Sequence, residues 1–154
     1  VKNSVSHFHS EAYRLTQPFS PHKSAHLDAL RIELDKISLP DTRNRLVIEG
    51  AGGLMVPLNE SLLIIDLIEK LKAEVVLVSR NYLGSINHTL LSINELKRRN
   101  IPVKALIFNG TEEEYSENFI EGYSKIENII RIPEIISFDK STISGIADAI
   151  DINL

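Results

Sequence analysis

The sequence predicts an α/β fold, a mainly parallel sheet with helices on both faces. Three observations carry that prediction. From residue 44 onward, short β-branched runs alternate with longer segments at helical spacing, and such alternation implies crossover connections and parallel pairing. The run "EVVLVS" (74–79) is continuously apolar rather than alternating, the pattern of a strand covered on both faces. With 154 residues, 43% of them hydrophobic and 25% charged, the chain has the length and composition of one globular domain, 1–154.

The elements follow in chain order. "TQPFSPHKS" (16–24) reads as a loop pinned by two prolines, and "HLDALRIELDKI" (26–37) as a helix. "RLVIE" (45–49) reads as a strand, and "SLLIIDLIEKLK" (61–72) as a helix apolar over most of its circumference and therefore well buried. After the strand at 74–79, "SINHTLLSINELKRRN" (85–100) places Ile86, Leu90, Ile93 and Leu96 near one helical face, and its basic last turn suits the helix dipole. "VKALIFNG" (103–110) is a third strand and "EEEYSENFIEGYSKI" (112–126) a polar amphipathic helix opening on acids. "IIRIP" (129–133) is a short strand stopped by proline, and a last helix runs through "TISGIADAID" (142–151).

Composition excludes several classes of function. The formal net charge is -4 with no basic block, so the electrostatic footprint of a nucleic-acid-binding protein is missing. Without cysteine there are no disulfides or thiolate metal sites, which fits a reducing compartment. The longest apolar run, "LLIIDLI" (62–68), contains an aspartate and is far too short to cross a bilayer. The opening residues are polar, unlike a signal peptide, so a cytoplasmic protein with no membrane partner is expected. The sequence begins on Val1 rather than methionine, which sets the expectation that an N-terminal segment is missing.

Ligands of open parallel sheets sit outside the carboxyl ends of the strands, so those ends carry the chemistry. They hold Glu49 with the glycines of "EGAGG", then "SRNYLGSIN", Asn109 with Gly110, and Pro133 with Glu134. A carboxylate at such an end can reach a magnesium ion on nucleotide phosphates, which takes only one or two protein carboxylates. Glycines after it let the backbone approach a ligand closely. A tight turn bearing a solvated glutamate accounts for Glu49 equally well. Ser85 opens a strong helix, where it can cap the helix, and the free amides there suit an anion. Asn109 offers an amide that donates to and accepts from adenine, although Asn-Gly is also simply a good turn. The close histidines of "HFH" (7–9) and "HKSAH" (22–26) match no zincin pattern and read as loop residues.

Taken in order, "VIEGAGGLMVPL", "VSRNYLGSINHTLL", "LIFNG" and "IP", with "SPH" at 20–22, resemble dethiobiotin synthetase across nearly the whole chain. The resemblance implies a P-loop NTPase-like fold, a homodimer, and an ATP- and Mg2+-dependent ring closure. In it 7,8-diaminononanoate takes up CO2 as a carbamate, ATP phosphorylates the carbamate, and the second amine displaces phosphate to give dethiobiotin. It further implies that Glu49 is the magnesium carboxylate, and that Gly50, Ala51 and Gly52 form a nucleotide and substrate turn. Asn109 with Gly110 would read adenine, and Pro133, Glu134 and Ile135 would form a backbone segment beside the base. Ser20, Gly52, Leu83, Gly84, Ser85 and Asn87 would shape the diamine site, with Phe119 reaching toward a partner subunit.

One departure is large. Nothing in the sequence matches G-x-x-x-x-G-K-[ST], and the family's catalytic lysines and second magnesium carboxylate also have no counterpart here. Phosphoryl transfer depends on those groups for positioning and charge stabilisation, so the 154 residues alone are expected to be inactive and to lack a strand of the sheet. Two alternatives stay open. One is a non-catalytic dimeric binding module of the same fold, and the other a related P-loop amidoligase of the cobyric acid synthase type.

Overall fold

The computed structural model describes residues 9–150, which group into two units dividing between Ala73 and Glu74.

In the first unit, helix α1 (Pro21–Leu27) begins with proline at its first position, where the missing N–H costs nothing and the fixed φ suits a helix. It ends in a Schellman arrangement: the Ala29 N–H donates to His26 O (3.1 Å), the Leu30 N–H donates to Ala25 O (2.8 Å), and Ala29 takes φ 53°. The helix expected over 26–37 is thus displaced toward the N-terminus, and only a 3-10 turn, Leu34–Lys36, forms further on. The Asp28 carboxylate is held by the Thr16 hydroxyl (2.5 Å) and N–H (2.7 Å), contacts that keep its pKa below the ordinary value.

Helix α2 (Ile64–Leu71) starts three residues later than the sequence suggested. Asn59 Oδ1 accepts from the N–H groups of Ser61 and Leu62 (both 2.9 Å), an Asx turn that delays helical geometry. Asp66 then accepts from the Leu63 N–H (2.6 Å), satisfying one free donor at the helix start. Ile64 and Ile65 are buried, whereas Leu67 and Ile68 are only partly so, less than the apolar circumference implied. Ala25, Ile32, Leu58 and Ile64 form this unit's core.

"RLVIE" is not a strand. Residues 45–50 have no regular structure, and Val47 is 92% exposed. A β-strand is stable only with a ladder partner, and residues 45–50 have none among the described residues.

The second unit carries the parallel sheet. Strands β1 (Val75–Arg80), β2 (Val103–Asn109) and β3 (Ile129–Ile132) lie in the order β1-β2-β3, joined by helices α3 (Ser85–Arg98) and α4 (Glu114–Ser124). These are parallel crossovers, as the alternation predicted. A register irregularity between Val75 and Val76 leaves Val76 opposite Ala105, and the ladder then runs evenly to its carboxyl end. There Arg80 pairs with Asn109, and Asn109 with Ile132.

Both helices pack on the sheet face that bears Leu106 and Phe108. Ile93 from α3 and Ile120 from α4 are fully buried there, each worth about 1.5–3 kcal/mol of transfer free energy. Ser79 and Thr89 share a buried hydroxyl hydrogen bond of 2.8 Å between β1 and α3. Among the described residues β1 is an edge strand of this sheet, and Val78, on the face away from α3 and α4, is 59% exposed. Helix α5 (Lys140–Ala149) is capped by Asp139, which accepts from the Thr142 N–H (2.9 Å). It starts two residues before the predicted run, whose last residue, Asp151, lies outside the described residues.

Candidate nucleotide and substrate site

The first unit holds Ser20 and the 49–52 turn. Ser20 is the N-cap of α1, but its hydroxyl makes no capping bond; its carbonyl accepts from the Ser24 N–H at 3.0 Å. The His22 N–H donates to Pro57 O (3.3 Å), which ties the start of α1 to the segment following the glycines. Gly52 has φ 84°, and a Cβ on it would stand 2.9 Å from Val56 Cγ2, so both conformation and space require glycine. The segment beyond is fixed: the Val56 N–H donates to Gly53 O (3.1 Å), while Val56 O and Leu54 O receive the Ile64 and Ile65 N–H groups (2.9 and 3.0 Å). Gly50, Ala51 and Gly52 are exposed on a segment anchored in this way to the start of α2.

Glu49 is exposed and its carboxylate has no hydrogen bond or ion pair among the described residues. A free carboxylate fits magnesium, which keeps most of its water and takes one or two protein oxygens. No group of three or more His, Asp or Glu side chains gathers into a metal site among the described residues. His9, His22 and His26 form none, and His7 lies outside those residues.

The second unit assembles the remaining candidates at the carboxyl ends of its strands. Asn109 ends β2 with its amide exposed. Gly110 follows with φ 107°, and its N–H donates to Ile132 O (2.9 Å), which joins the end of β2 to the end of β3. Pro133 and Glu134 continue from there. The Thr111 hydroxyl donates to Glu134 Oε2 (2.9 Å), and Arg80 reaches Glu134 Oε1 at 3.8 Å. Asn109, Gly110, Pro133 and Glu134 are therefore neighbours on one rim, with Ile135 next in the chain. Arg80, Asn81 and Thr111 belong to that rim too. Arg80 and Asn81 open the strand-end segment "SRNYLGSIN" without an assigned role, and Thr111 follows Gly110 with none either.

Leu83, Gly84, Ser85 and Asn87 follow β1. The capping role expected of Ser85 belongs to Gly84, whose φ of 101° makes the sharp entry into α3. Ser85 is the first helical residue, 4% exposed, with its N–H donating to Tyr82 O (2.9 Å). Leu83 is fully solvent-exposed, and Tyr82 hydrogen-bonds His88 Nδ1 through its hydroxyl at 2.5 Å. Phe119 lies on α4, 55% exposed, its ring stacked on Tyr123 at 6.2 Å.

Two groups around α4 have shifted pKa values. Glu113 caps the helix by accepting from the Ser116 N–H (2.8 Å), and the Ser116 hydroxyl and N–H hold its pKa below the ordinary carboxylate value. Burial works against the charge on Arg131, but hydrogen bonds to Glu117 and Glu121 outweigh it and raise the guanidinium pKa. A hollow lined by Lys97, Ile101, Val103 and Asn128 lies at the opposite, amino-terminal end of the strands. Among the described residues no helix is long and apolar enough to cross a membrane.

A family profile described as an AAA domain matches residues 1–142. The chain is 47% identical over 140 residues to an ATP-dependent dethiobiotin synthetase of Cytophaga hutchinsonii, an alignment covering 90% of this chain and 68% of the relative. It is 46% identical over 148 residues to one of Christiangramia forsetii, covering 96% of this chain and 71% of the relative. A third, of Rhodopseudomonas palustris, is 44% identical over 135 residues, covering 88% and 65%. The chain spans about two thirds of the length of these relatives. By these similarities the chain belongs to the ATP-dependent dethiobiotin synthetase family.

Proposed function

We propose that the whole protein is an ATP- and magnesium-dependent enzyme that closes 7,8-diaminononanoate and CO2 into dethiobiotin. One amine adds to CO2 and loses a proton, giving a carbamate. The carbamate oxygen then takes the γ-phosphoryl group of ATP, releasing ADP and leaving a carbamic-phosphoric anhydride. The second amine attacks the carbonyl carbon, the C–O bond to phosphate breaks, and a cyclic urea forms. The single observation that carries this reading is 47% identity over 140 residues to a relative named for ATP-dependent dethiobiotin synthesis.

The residues divide by role. Glu49 supplies one oxygen to magnesium, which neutralises phosphate charge when bound. The turn Gly50–Gly52 gives the backbone close access to nucleotide and diamine. Asn109 reads adenine, with Gly110 and the backbone of Pro133–Ile135 bordering the base. Ser20, Leu83, Gly84, Ser85 and Asn87 shape the diamine site, and Phe119 extends it in a cytoplasmic homodimer. The supporting feature for the adenine assignment is an exposed Asn109 amide beside a glycine and the proline-ended third strand.

The protein is read as one domain whose phosphate-binding loop lies outside these 154 residues, and the 154 residues alone are read as inactive, because they contain no G-x-x-x-x-G-K-[ST]. The test is ADP release by the full-length protein. Release should require diaminononanoate, CO2 and Mg2+ together. ADP release that ignores the diamine would refute the assignment.

A further inference from the structure

Glu117 is 2% exposed, yet its carboxylate binds three separate segments. It accepts from Arg131 Nε of β3 (2.9 Å), from Asn81 Nδ2 just after β1 (2.7 Å), and from the Glu113 N–H at the start of α4 (3.1 Å). Asn81 Nδ2 spends its other hydrogen on Thr111 O (3.0 Å). Both amide hydrogens of Asn81 are thereby committed, while its buried Oδ1 has no partner. An unmatched buried acceptor costs about 1–3 kcal/mol, so the side chain is held by its nitrogen alone.

These bonds converge on one short segment. The turn from Gly110 to Glu113 is fixed through the Gly110 N–H to Ile132 O, the Thr111 carbonyl to Asn81, the Thr111 hydroxyl to Glu134, and the Glu113 N–H to Glu117. Asn109, directly before it, keeps its side-chain amide free of any hydrogen bond among the described residues. A rigid turn presenting an unpaired amide is the arrangement that recognises a flat heterocycle with the least ordering cost.

We propose that Asn81 and Glu117 are positioning residues for nucleobase recognition: a buried polar bridge from β1 to α4 that sets the Asn109 amide against an adenine ring. The proposal rests on the reading of Asn109 as the adenine contact. Neither residue touches the base; each acts through the 110–113 turn.

Calorimetric titration of the full-length protein with MgATP, MgGTP and magnesium tripolyphosphate tests this, because tripolyphosphate has no base. Asn81→Ala should weaken ATP binding about tenfold, equal to about 1.4 kcal/mol, narrow the ATP-over-GTP preference, and leave tripolyphosphate affinity within about twofold. Glu117→Gln should act in the same direction. Ile120→Val, which trims the core of the same helix, should lower thermal stability while leaving the ATP-to-tripolyphosphate ratio unchanged. If Asn109→Ala abolishes base preference while Asn81→Ala and Glu117→Gln change all three ligands equally or not at all, the positioning role is wrong and the adenine contact stands. If Asn109→Ala itself leaves base preference intact, the adenine reading fails and the proposal falls with it.

Discussion

Arg131 in β3 donates to the buried carboxylate of Glu117 in α4 at 2.9 Å, and its guanidinium lies 5.6 Å from the Phe108 ring centroid. That pair fastens α4 to the third strand at the rim where Asn109 emerges.

Removing the cation should therefore destabilise more than a surface charge change does. Arg131→Ala leaves Glu117 buried without its counter-charge. The expected loss is about 2 kcal/mol, below the ~3–5 kcal/mol of a fully buried pair because Arg131 keeps 44% of its side-chain exposure. Urea unfolding measures it, and a loss under about 0.5 kcal/mol, the range of ordinary surface substitutions, would show that the pair is not structural.

Two backbone positions should respond in opposite directions. Gly52→Ala places a Cβ on a residue with φ 84° and against Val56, and should cost about 2 kcal/mol or more. Ala29→Gly relieves a left-handed residue at the end of α1, and should stabilise by roughly 0.5–1 kcal/mol. Thermal denaturation of both variants checks the contrast; equal effects of one sign would contradict the backbone assignment.

Acid sensitivity has a local source in α3. The Glu95 pKa is lowered to about 2 by hydrogen bonds from Arg98 and then Arg99. A depressed folded-state pKa means that the stabilisation is complete above the unfolded value of 4.5 and disappears as pH falls toward 2. The stability difference between the parent protein and Glu95→Gln should be constant above about pH 5.5 and shrink between pH 4.5 and 2. A difference that stays flat across that window would remove Glu95 from the acid response.

Glu49 should matter for chemistry and not for folding. It is exposed and without a partner among the described residues, so Glu49→Ala is expected to shift stability by less than about 0.5 kcal/mol. In the full-length enzyme the same change should lower Mg2+-dependent turnover by about 100-fold, the order expected when an electrostatic stabiliser is lost. Parallel loss of melting temperature and turnover would instead make Glu49 part of the turn's structure.

The second unit was legible because its elements are locally consistent. In 85–98 the apolar spacing and basic end agree, and β1, β2 and β3 are apolar runs that alternate with helical segments, the pattern of a parallel sheet. "RLVIE" has the same character but lacks a ladder partner among the described residues, so composition alone misassigned it. Helix ends were harder to place. α1, α2 and α3 finish with the left-handed residues Ala29, Lys72 and Asn100, where a glycine signal would be sought and none exists. The placement of Asn109, Gly110 and Glu134 at neighbouring strand ends could be read from the sequence. The Asn81–Glu117–Arg131 bridge could not, since its members are separated by 36 and 14 residues and meet only through the parallel crossovers.

The most direct test supplies the full-length protein with 7,8-diaminononanoate, MgATP and 13C-bicarbonate and follows the product by mass spectrometry. Dethiobiotin carrying one 13C atom in its ureido carbonyl is expected, with one ADP and one phosphate released per product. A folded protein that binds MgATP and the diamine but forms no labelled dethiobiotin would contradict the proposed reaction.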